Sequence, residues 1–169
     1  ELSKKGGENC DILVMSATPI PRTLIMTFYG DMDLSKLTEK PSYRKEIISL
    51  SKPEIKINEV IKFIKKEITN KKQIFWVCPL IEESKKLDYE AAVKKFEYLN
   101  KIFTGKVGLI HGLLKNEQKE TVLKKFLDKK IQILVSTTVI EVGIDFPNAN
   151  VIVIENSNKF GLSQLHQLR

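Results

Sequence analysis

Residues 131–145 read "IQILVSTTVIEVGID". The run from Ile131 to Val135 is apolar and rich in β-branched residues, does not alternate with polar ones, and stops after a few residues at Ser136-Thr137-Thr138. That pattern predicts a strand buried on both faces rather than a half-exposed strand or a full helix. A strand covered on both faces belongs to a parallel sheet with helices above and below, so the stretch predicts more strands of its kind with helical patterns between them.

The rest of the sequence supplies both. "ILVMS" (12–16), "IISL" (47–50), "QIFWVC" (73–78), "VGLI" (107–110) and "VIVIE" (151–155) are short apolar runs of the same character. Ile57, Val60, Ile61, Ile64 and Ile68 make one helical stripe; Val93, Phe96, Leu99 and Ile102 a second; Val122, Leu123, Phe126 and Leu127 a third. Asp88 and Asn116 suit the N-caps of the second and third. The expected fold class is α/β, a parallel sheet with helices on both faces.

With 169 residues and 42% hydrophobic content, the chain can bury a real core. Its apolar runs fall far short of the ~18 residues of a membrane span, and "ELSKKGGENC" lacks the apolar segment of a signal peptide. Cys10 and Cys78 stand apart, as in a reducing compartment, so the cytoplasm is the expected location, with no membrane partner. No initiator Met is present, which reads as part of a longer protein. The net charge of +7 is concentrated after residue 36, where the balance is +8. This surplus suits a polyanion partner. Lys65-Lys66, Lys94-Lys95, Lys124-Lys125 and Lys129-Lys130 are equally well read as solvated helix faces.

Residues 30–44, "GDMDLSKLTEKPSYR", combine turn formers and charges with little apolar continuity. The expected organisation is a tail of one α/β domain over residues 1–36, a linker over 37–44, and a second domain over 45–169. The first unit is too small to bury its apolar face. Exposing residues such as Ile12, Leu13, Val14, Leu24, Ile25 and Phe28 predicts self-association of this chain through residues 12–28.

In an open parallel sheet, ligands gather at the carboxyl ends of the strands. Ser16-Ala17-Thr18, His111-Gly112 and Ser136-Thr137-Thr138 all stand directly after apolar runs. Small hydroxyl residues there can offer O–H and N–H groups to a phosphate, or can simply cap helices. Cys78 and Trp76 read as core, and two His with two separated Cys make no metal pattern, so no metal site is expected on the chain.

"MSATPIPRTL", "VCPLIEES", "HG", "LVSTTVIEVGIDFPNA" and "GLSQLHQLR", in this order, resemble the motifs of superfamily 2 helicases, and among them the RecG type. The resemblance implies a RecA-like sheet of the P-loop NTPase class, preceded by the last strand-helix unit of a first helicase domain. For the parent protein it implies an ATP-dependent DNA helicase with ATP and Mg2+ as cofactors, acting on branched DNA in repair and recombination by fork regression and branch migration. Ser16, Ala17 and Thr18 match the motif that couples hydrolysis to strand separation. His111, Gly112, Thr137 and Thr138 match positions near the phosphates of one DNA strand. Gly143 and Asp145 match a nucleotide-facing Gly-x-Asp, and Gln167 the glutamine of the sixth motif. Arg22, Glu141, Gln164, His166 and Arg169 also match, without an assigned role.

No Gly-x-x-x-x-Gly-Lys-Ser/Thr loop and no Asp-Glu-x-His box appear, and the sixth motif ends at Arg169. The chain alone is therefore expected to be catalytically incomplete and to hold no cofactor tightly. Two other readings stand beside this one: the related transcription-repair coupling translocase, and a mononucleotide-binding α/β module with no motor function.

Overall fold

The computed structural model describes residues 15, 35, 46–79, 85–137, 146 and 149–168. Two compact units divide the chain, one of Glu1–Glu46 with Leu162–Gln167 and one of Ile47–Gly161 with Leu168–Arg169. The second holds the strands β1 (Gln73–Val77), β2 (Val107–Ile110), β3 (Ile133–Ser136) and β4 (Ala149–Ile154), with helices α1 (Ile57–Thr69), α2 (Lys85–Ile102) and α3 (Asn116–Leu127). Helix α4 (Leu162–Leu168) falls almost wholly in the first unit.

The four strands form one sheet in the order β2-β3-β1-β4, all parallel. Their alternate residues feed two cores, as the pleat requires. Ile74, Trp76, Ile133 and Val135 pack with Ile61, Ile64 and Ile68 of α1 and Leu99 of α2. On the other face Leu134 packs with Phe126 of α3, joined by Phe75, Val122, Leu123 and Phe146. Phe75, Phe126 and Phe146 meet edge-on or tilted, with ring centroids 5.2 to 5.6 Å apart. Burial on both faces explains why β1, β2 and β3 read as continuous apolar runs, whereas β4, expected to be buried, is an edge strand with Ile152 exposed.

Polar groups close the ends of the elements. The side-chain amide of Gln73, itself buried, donates to the Phe126 and Ile131 carbonyls and so ties the end of α3 to β1. Both α1 and α3 end in the same turn. Lys72 N–H donates to Glu67 and Lys71 N–H to Ile68; likewise Lys130 to Lys125 and Lys129 to Phe126. This satisfies carbonyls the helices leave over and puts Lys71 and Lys129 in the left-handed region at φ 59°.

Three local expectations change. Residues 47–50 form no strand, and Ile48 and Leu50 are exposed, because β propensity alone makes no strand without packing. Helix α2 begins at Lys85, so Asp88 lies inside it, and α3 has Lys115 rather than Asn116 as its N-cap, with Gln118 accepting from the Lys115 N–H at 3.2 Å. Leu127 is exposed at the margin of its stripe. The strand expected at 12–16, except Met15, which is exposed and in no regular element, lies outside the described residues, as do the helix after it and the linker at 37–44.

Candidate nucleic-acid interface

Parallel register decides which strand ends meet. Ile110 pairs with Ser136, so His111 and Thr137 follow directly on neighbouring strands at the carboxyl edge. Both are buried, His111 to 9% exposure and Thr137 to 3%. The turn after β2 folds back through Leu114 N–H onto the His111 carbonyl at 3.2 Å. That leaves Gly112 exposed, with open space where a side chain would stand.

The His111 ring meets Tyr89 of α2 edge-on at a centroid distance of 4.7 Å. Its Nδ1 is buried and has no hydrogen-bond partner among the described residues. Burial, with the Lys119 charge adding to it, holds the imidazole below its ordinary pKa of 6.5, so the ring is neutral at pH 7. A neutral imidazole brings one donor and one acceptor and no charge. The cations at this edge are lysines, among them exposed Lys115 and half-buried Lys119.

A second polar cluster lies where β1 and β4 end. Glu155 Oε1 is 2.6 Å from Lys95 Nζ of α2, and its Oε2 accepts from Trp76 Nε1 at 3.3 Å and from the Cys78 thiol at 3.7 Å. Lys95 Nζ lies 5.4 Å from the ring centroids of both Trp76 and Tyr98. Burial first, then the Glu155 carboxylate, pushes the Cys78 thiol up to about 12, which makes it a core group rather than a nucleophile. Sequence reading counted Glu155 into an apolar strand and gave Lys95 to a solvated face; a lone carboxylate closing "VIVIE" was the signal available.

Of the residues expected to carry function, His111, Gly112 and Thr137 thus come to one edge. Gln167 lies exposed on α4, as do Gln164 and His166. Ser16, Ala17, Thr18, Thr138, Gly143 and Asp145, with Arg22, Glu141 and Arg169, lie outside the described residues. Among the described residues no three His, Cys, Asp or Glu side chains gather as a metal site would need, and no helix is long and apolar enough to cross a membrane.

The fold is a parallel sheet with helices on both faces, and residues 55–169 match the helicase conserved C-terminal domain. The chain belongs to that family. It is 52% identical over 165 residues to the ATP-dependent DNA helicase RecG of Thermotoga maritima and 47% identical over 165 residues to that of Bacillus subtilis. Each alignment covers 96% of this chain, against 21% and 24% of the relative. A solved RecG bound to a three-way DNA junction superposes with a TM-score of 0.70 at 49% identity, over 91% of this chain and 20% of that one. The chain thus spans between a fifth and a quarter of the length of these relatives.

Proposed function

We propose that this chain is the second motor domain of an ATP-dependent DNA helicase of the RecG type, with the end of the first motor domain before it. The longer protein would use ATP to remodel branched DNA, regressing forks and migrating junctions in recombination and repair in the cytoplasm. The observation that carries the reading is the Ile110–Ser136 register, which brings His111-Gly112 and Thr137 to one sheet edge in a chain close to RecG in sequence. The junction bound by the solved relative supports branched DNA as the substrate. These likenesses favour the RecG type over the transcription-repair translocase and over a module without motor function.

At this edge the exposed Gly112 backbone is proposed to meet a phosphate beside buried His111 and Thr137, with Thr138, which lies outside the described residues, as a further phosphate contact. Contacts of this kind grip the backbone of one strand without reading bases, as a translocating motor requires. ATP with Mg2+ would supply the energy. Gln167, exposed on α4, is available to a polar ligand, and Gly143 and Asp145 are proposed to face the nucleotide. Residues 12–28 are proposed to mediate self-association of the isolated chain; light scattering of the chain with and without residues 1–36 tests this, and a monomer in both cases overturns it.

The main test uses the full-length protein. Thr138→Ala lowers junction unwinding more than DNA-independent ATPase, whereas Asp145→Ala lowers both. Equal effects of the two changes on DNA-independent ATPase overturn the assignment of separate DNA and nucleotide faces.

A further inference from the structure

Glu155 closes β4, and its carboxylate is held by three donors from two elements: the Lys95 ammonium on α2, the Trp76 indole, and the Cys78 thiol just after β1. Side-chain exposures of 20% for Lys95 and 18% for Glu155 set this ion pair apart from the surface pairs Lys52–Glu59 and Lys130–Asp128. Two aromatic rings under the ammonium remove more of its water. A pair this dry adds little net stability, yet removing either partner strands the other charge. Its effect is therefore on geometry.

The backbone shows which geometry. Glu155 N–H donates to the Val77 carbonyl at 2.9 Å, and Cys78 N–H donates to the Ser136 carbonyl at 2.8 Å. The ends of β3, β1 and β4 are thus tied in a row, and the Lys95–Glu155 pair fastens that row to α2. Thr137 follows the β3 end directly. From Glu155 the chain turns through Asn156, in the left-handed conformation at φ 48°, and a 3₁₀ turn (Ser157–Lys159) into α4, which carries Gln167.

We propose that Lys95 and Glu155 are positioning residues that fasten the tied ends of β3, β1 and β4 to α2, so that a displacement at the DNA-facing loop is passed through that row to the segment leading to Gln167. The inference rests on the helicase reading above and deepens it. Neither residue is proposed to touch DNA or nucleotide. They keep α2 and the row of strand ends moving as one body, and without them DNA binding and ATP turnover lose their link.

The test compares wild type with Lys95→Met, Glu155→Gln, the double variant and Lys95→Arg in the full-length protein. It measures junction affinity, ATPase without DNA, junction-stimulated ATPase and melting temperature. The expected result is a roughly tenfold loss of junction stimulation in either single variant, below the roughly hundredfold that a 1 Å misplacement can cost. Junction affinity and DNA-independent ATPase stay close to wild type, the double variant is no worse than the weaker single, and Lys95→Arg keeps most of the stimulation. Unchanged stimulation in an active protein overturns the proposal, as does a loss of both ATPase rates in step with melting temperature, which marks a purely structural pair. If Lys95→Met fails to fold, Glu155→Gln and Lys95→Arg decide the matter. A wild type whose ATPase junction DNA does not stimulate removes the helicase reading itself, and this proposal with it.

Discussion

Ile110 and Ser136 are register partners at the ends of β2 and β3, and this one pairing sets His111 beside Thr137 at the carboxyl edge. Gly112, next along, is exposed into open space. Gly112→Ala is therefore expected to leave the melting temperature of the chain unchanged. In the full-length protein it weakens junction binding by roughly tenfold, because the added methyl keeps the phosphate from the backbone N–H, a loss of about 1 kcal/mol or somewhat more. Fluorescence anisotropy on a labelled junction measures it, and unchanged affinity counts against the edge as a phosphate site.

Salt separates lysine from histidine. Lys115→Gln and Lys119→Gln should each lower the slope of log affinity against log salt by about 1 if the lysine meets a phosphate. His111→Gln should leave the slope alone, since a neutral imidazole displaces no counterion. Binding titrations across a salt series give all three slopes.

His111 also predicts a pH dependence. Its imidazole is held below 6.5 in the fold by burial and by Lys119. In the window between that lowered value and 6.5 the unfolded chain binds more protons, so stability rises with pH. The His111 contribution is complete above 6.5 and is lost as pH falls through the lowered value. The difference in melting temperature between wild type and His111→Gln should therefore shift in favour of the variant as the solution is acidified from pH 7. A constant difference would show that His111 does not titrate abnormally.

Gly108 in β2 tests the packing behind this edge. A Cβ there would run into Ile131 Cδ1 and stand 3.0 Å from Val122 Cγ1 and 3.4 Å from Leu134 Cδ1. The Ile131 terminus can rotate away, and Gly→Ala gains roughly 0.4 to 1 kcal/mol by restricting the unfolded chain. Gly108→Ala should cost only about 1 kcal/mol net. Gly108→Val, which cannot be cleared by one rotation, should cost about 3 kcal/mol. Urea unfolding of the chain measures both, and equal costs would show that the β2–α3 contact is loose.

Cys78 is expected to resist thiol reagents while the chain is folded, because its thiol is buried and pushed up to about 12. In a Cys10→Ser background, labelling at pH 8 should proceed only as fast as the chain opens, and should accelerate sharply in denaturant. Rapid labelling under native conditions would show that the β1 end is open.

The sequence by itself pointed to where β1, β2, β3 and β4 lie, because strands of a covered parallel sheet are built mainly from apolar β-branched and aromatic residues, as "IFWV" in β1 and "ILV" in β3 are. It also marked Ile64, Leu99 and Phe126 as core through their helical spacing, and it pointed to His111, Gly112 and Thr137 because they stand where apolar runs stop. Residues 47–50 show its limit: the same kind of run made no strand, since propensity is local and pairing is not.

Only the tertiary structure decided the order β2-β3-β1-β4 and the neighbours it creates. Periodicity says which residues face inward but carries no information about which strand lies alongside, so the His111–Thr137 edge and the Gln73 amide on Phe126 were invisible in one dimension. The same holds for Lys95 and Glu155, 60 residues apart. Lys95 reads alone as a solvated charge and Glu155 as the end of an apolar strand, and only their meeting over Trp76, where water is scarce, turns two ordinary side chains into a fastening between α2 and the end of β4.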